Sequence, residues 1–118
     1  IYPPLVDKFT GLAIRVPVAC GSLSDLVFLT KKKVNKEEVN SVLSQASQTT
    51  LKGILGITDQ PLVSSDIIGS EFSAIVDTSL TLVVDQNLVK IVAWYDNEWG
   101  YACRLVEEVN LVGRSLGN

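Results

Sequence analysis

Two runs of β-favouring residues, Leu80-Thr81-Leu82-Val83-Val84 and Leu88-Val89-Lys90-Ile91-Val92-Ala93-Trp94, are separated only by Asp85-Gln86-Asn87. So short a link with turn chemistry predicts an antiparallel hairpin. Around it, further strand and helix patterns interleave without a regular strand-helix-strand repeat. The expected fold class is therefore α+β: a mostly antiparallel or mixed sheet with two main helices packed on one face.

The other elements follow from local signals. Pro3 and Pro4 predict an extended start, and Leu12-Ala13-Ile14-Arg15-Val16-Pro17-Val18 reads as a strand with Pro17 at its end or at a sheet edge. Asp25-Leu26-Val27-Phe28-Leu29-Thr30 is a second strand, so continuously apolar that both of its faces are expected to be covered. Asn35-Lys36-Glu37-Glu38 has the form of a capping box. Val39, Val42, Leu43 and Ala46 then recur at helical spacing as one buried stripe, and Gln48-Thr49-Thr50 closes that helix. Leu51 to Ile57 reads as a strand interrupted by glycines, with a turn at Asp59-Gln60-Pro61. A last amphipathic helix is expected from Asn97 or Glu98 to Gly113, with Tyr101, Leu105, Val109 and Val112 along one side.

Composition narrows the partners. With 118 residues, 47% of them hydrophobic, the chain can bury a core as a single domain over 1–118. The net charge of −3 argues against nucleic acid, which needs a concentrated basic surface. Lys31-Lys32-Lys33 reads as a solvated surface ahead of Glu37 and Glu38. There are two cysteines, Cys20 and Cys103, and no histidine, so the usual ligand shell of zinc cannot be completed and no metal site is expected. Sparse cysteine usage points to two thiols in a reducing compartment rather than a disulfide. No apolar run approaches the ~20 residues of a membrane span.

The densest signal is Trp94-Tyr95-Asp96-Asn97-Glu98-Trp99-Gly100-Tyr101, four aromatics in eight residues where the chain as a whole is 7% aromatic. It lies where a strand gives way to a helix, a place where free backbone N–H groups face a cleft; a hydrophobic staple around an Asp or Asn cap accounts for the same residues. This segment, leading into Arg104-Leu105-Val106, resembles the C-terminal signature of the glyceraldehyde-3-phosphate dehydrogenases. Gly11 to Pro17, Leu51 to Leu55, Leu62 to Asp66 and Leu88 to Lys90 are similar to that family's pattern in the same order. The likeness is to the C-terminal part of its catalytic domain and extends over nearly the whole chain.

The resemblance implies roles for three residues. Asn97 would hydrogen-bond the nicotinamide carboxamide, which an amide suits because it donates and accepts at once, and Tyr101 would lie beside the ring. Arg15 would bind a phosphate group of the active site with its fixed, permanently charged fork. The family's chemistry also needs a cysteine thiolate in a Ser-Cys-Thr-Thr-Asn context and a histidine base, and neither is present. No Gly-x-Gly-x-x-Gly follows a strand to hold a dinucleotide. Ala19-Cys20-Gly21-Ser22-Leu23 also departs from the family's common Thr-Pro-Asn-Val-Ser.

Taken alone the chain is therefore expected to be a non-catalytic interaction or structural module that binds no cofactor, with NAD or NADP entering only if the missing half is supplied. The alternative is a fragment of an active NAD(P)-dependent enzyme that oxidises glyceraldehyde 3-phosphate through a thioester cleaved by phosphate. In either case a protein partner, or the chain's own missing half, is expected against the last helix and the Trp94 to Tyr101 segment. The resemblance and the thiol usage imply cytoplasm or plastid stroma.

Overall fold

The computed structural model describes residues 3–117. In chain order its regular elements are β1 (Ser22–Leu29), α1 (Lys36–Gln48), β2 (Leu55–Thr58), β3 (Ala74–Asp77), β4 (Leu82–Val84), β5 (Leu88–Tyr95) and α2 (Trp99–Leu116), with short 3-10 turns at Pro3–Leu5, Ser64–Ile67 and Thr78–Leu80. The α+β class and the mixed sheet expected from the sequence are both present.

The expected hairpin organises the sheet. β4 and β5 pair antiparallel with Val84 opposite Leu88, and the turn between them takes positive φ at Asp85 (49°) and Gln86 (62°). Left-handed backbone is unfavourable for glutamine. Here it is held by the Val34 N–H donating to the Gln86 carbonyl at 2.7 Å and the Thr30 N–H donating to that of Asn87 at 2.8 Å. β1 pairs antiparallel along the whole of one edge of β5, from Ser22 opposite Tyr95 to Leu29 opposite Leu88. The other edge of β5 is shared by β4 and by β3, whose Ile75 and Val76 face Trp94 and Ala93. β2 lies outside β3 and parallel to it, and α1 packs against β2. Val76, Val89, Val92 and Ala93 of the inner strands, with Ile67 from a 3-10 turn, form the buried core.

At α1 the capping box is complete: the Glu38 N–H donates to Asn35 Oδ1 and the Asn35 N–H to Glu38 Oε2, both at 2.8 Å. The stripe behind it is narrower than expected, since Val39, Leu43 and Ala46 are half-buried while Val42 is exposed.

Several local expectations are corrected. Pro3 and Pro4 open a 3-10 turn closed by the Val6 N–H on the Pro3 carbonyl; Ile1 and Tyr2 lie outside the described residues. Leu12 to Val18 is not a strand, because among the described residues no neighbouring strand takes up its backbone groups, and Leu12 and Ile14 point outward. Leu51 to Ile54 is the exit turn of α1, with the Leu51 N–H on the Ala46 carbonyl, and the strand starts only at Leu55. β1 begins earlier than expected, at Ser22, and its faces are not covered: it is a sheet edge on which Leu26, Val27, Phe28 and Leu29 are all exposed. α2 extends beyond Gly113 to Leu116, and it touches the rest of the fold chiefly through its first turns. From Leu105 onward every described residue of it is exposed, including Leu105, Val109 and Val112 of the expected stripe.

Candidate functional site

The segment singled out in the sequence is the exit of β5 into α2, and Asp96 shapes it. Only 4% exposed, its carboxylate accepts the Trp99 N–H at 2.8 Å and the Glu98 N–H at 3.0 Å through Oδ1, and the Gly69 N–H at 2.8 Å through Oδ2. Such bonds satisfy donors that the first turn of a helix leaves free. Those from Trp99 and Gly69 hold the carboxyl below the usual aspartate range, against the opposing effect of burial. Asp96 thus caps α2 and ties it to the loop that follows the 3-10 turn at Ser64–Ile67.

Four residues beyond Asp96, Gly100 is buried because α2 starts directly against the Phe72 carbonyl: a Cβ built there would lie 2.7 Å from that oxygen. The helix can enter at this angle only with no side chain at this position.

A second chain segment reaches the same place. Gly21, at φ +92°, turns the backbone into β1 and is packed closely by Ile67 and the Ser64 carbonyl. Cys20 and Ser22, on either side of it, both reach the β5–α2 junction. Cys20 Sγ donates to Glu98 Oε2 at 3.2 Å, and Ser22 Oγ donates to Asn97 Oδ1 at 3.2 Å. The Glu98 bond first, then burial and the nearby Asp96 charge, push the Cys20 thiol up to about 11, so it keeps its proton at neutral pH and is not an activated nucleophile. Cys20, Asp96 and Glu98 place potential ligand atoms within 4.8 Å of one another, but both Asp96 oxygens are already engaged by backbone N–H groups and the thiol is protonated. Together they form a hydrogen-bonded cluster.

The residues predicted from the sequence divide into two sets. Asn97 is exposed at the turn and held on one side by Ser22, and Tyr101 projects from the first turns of α2 with 68% of its surface open. Both are exposed near the start of α2. Arg15 stands on the irregular segment ahead of Gly21, exposed and without an ion pair among the described residues. Ser22 and Cys20 were not legible as site residues, because they meet Asn97 and Glu98 across 75 and 78 positions of sequence through the β1–β5 register. The available signal was the Gly21-Ser22 turn just ahead of an apolar run.

Comparison with known proteins gives one consistent answer. The family described as glyceraldehyde 3-phosphate dehydrogenase, C-terminal domain, matches residues 1–97. A glyceraldehyde-3-phosphate dehydrogenase of Mycobacterium avium is 48% identical over 116 residues, 98% of this chain and 34% of the relative. One of Borreliella burgdorferi is 53% identical over 109 residues, 91% of this chain and 32% of the relative. A chloroplastic one of Arabidopsis thaliana is 44% identical over 115 residues, 98% of this chain and 29% of the relative. The chain spans about a third of the length of these curated relatives.

Proposed function

The chain belongs to the glyceraldehyde-3-phosphate dehydrogenase C-terminal domain family, and from that premise we propose that it is the part of such a catalytic domain that positions ligands rather than the part that reacts. Taken alone it is a non-catalytic module. Joined to a half that holds the dinucleotide and supplies thiolate and base, it contributes Asn97 to the nicotinamide carboxamide, Tyr101 beside that ring and Arg15 to a phosphate group. NAD or NADP bound there would accept the hydride released as the aldehyde is oxidised.

The observation that carries the reading is the Asp96 turn, which fixes the backbone on both sides of Asn97 while leaving its amide at the surface. A rigid backbone with an open amide suits a group that must meet a carboxamide without first being ordered. Tyr101, in the first turn of α2, offers an exposed ring. Cys20 cannot take the nucleophile's role, being protonated at neutral pH, and no histidine stands by to change that.

The exposed apolar side of α2 and the uncovered faces of β1 support a partner surface, to be met by the remainder of a longer polypeptide or by another protein. No helix among the described residues is long and apolar enough to cross a membrane, and the cytoplasm or the plastid stroma is the proposed setting.

Intact-mass measurement of the polypeptide carrying this sequence, paired with an assay of phosphate-dependent NAD(P) reduction by glyceraldehyde 3-phosphate, tests the reading. A covalent chain several times heavier than 12.8 kDa that turns over, and loses turnover in Asn97→Ala and Arg15→Ala, is the expected result for the joined form. A 12.8 kDa chain with no NAD(P) reduction fits the stand-alone module. Turnover by a verified 12.8 kDa chain, or unchanged turnover in Asn97→Ala, overturns it.

A further inference from the structure

We draw no further inference here: the strongest candidate, the apolar side of α2 from Leu105 onward that stands exposed together with the faces of β1, carries nothing because no feature of the described residues shows what covers it.

Discussion

Replacing Gly100 by alanine separates two effects that usually run together. In a helix interior alanine is favoured over glycine by ~0.5–1 kcal/mol, so propensity alone makes Gly100→Ala stabilising. The structure reverses the sign. The new Cβ would sit 2.7 Å from the Phe72 carbonyl oxygen, a backbone atom that cannot swing aside as a side chain can. Reaching even a tight contact of ~3.0 Å requires α2 or the Phe72 loop to move by about 0.3 Å from that 2.7 Å approach. Overpacking of this kind costs ~1–3 kcal/mol, which set against the propensity gain leaves a net loss of ~0–2.5 kcal/mol, centred near ~1 kcal/mol.

Gly113 in the same helix is the internal control. A Cβ there meets nothing within 4 Å, so Gly113→Ala should be neutral or stabilising by ~0.5–1 kcal/mol. Urea unfolding followed by helical circular dichroism compares the two variants with wild type. On the proposed role of Asn97, which rides on the junction that must move, dinucleotide affinity of the joined polypeptide should also fall in Gly100→Ala and stay unchanged in Gly113→Ala. If Gly100→Ala stabilises as much as Gly113→Ala, the close approach is not present in solution and the argument for the entry angle of α2 fails.

Three further outcomes are expected. The Asp96 carboxyl is held below its ordinary 3.8, so its contribution to stability is fully present above that value and is lost as pH falls through the folded-state value; Asp96→Asn should flatten the acid limb of a plot of urea midpoint against pH, and an unchanged limb would refute the role. Cys20, pushed up to about 11 chiefly by Glu98, should alkylate slowly with iodoacetamide at pH 8, and Glu98→Ala should shift its pH–rate profile to lower pH; equal profiles by mass spectrometry would remove the bond. Asn35→Ala removes the side-chain half of the capping box, the bond from the Glu38 N–H, while the backbone N–H of residue 35 can still donate to Glu38, and should cost ~1 kcal/mol in urea unfolding, against no change if the cap is absent in solution.

What the sequence made legible was set by neighbours along the chain. The β4–β5 hairpin follows from two apolar runs and a short polar link, the α1 cap from Asn35 and Glu38 three positions apart, and the β5–α2 junction from its aromatic density around Asp96. Asn97 and Tyr101 came from resemblance, and both are exposed near the start of α2. The misreadings have a different origin. Leu12 to Val18 has strand-like residues but no partner strand among the described residues, and strand propensity without a partner forms nothing. β1 was expected to be covered on both faces because its side chains are apolar on both, yet hydrophobicity records what a face is suited to meet rather than what meets it.

That distinction explains why the candidate site is better formed than its surroundings. The junction around Asn97 is held by directional bonds, three N–H groups on Asp96 and one hydroxyl on Asn97 itself, all supplied from within residues 20–99. Directional bonds of this kind fix a geometry locally, and they need no second layer of protein to do so. The bare faces of β1 and the outer side of α2 depend instead on burial, whose worth of ~1.5–3 kcal/mol per large side chain is realised only on contact with another surface. Among the described residues the junction is therefore formed by directional bonds, while the apolar faces of β1 and the outer side of α2 stay uncovered.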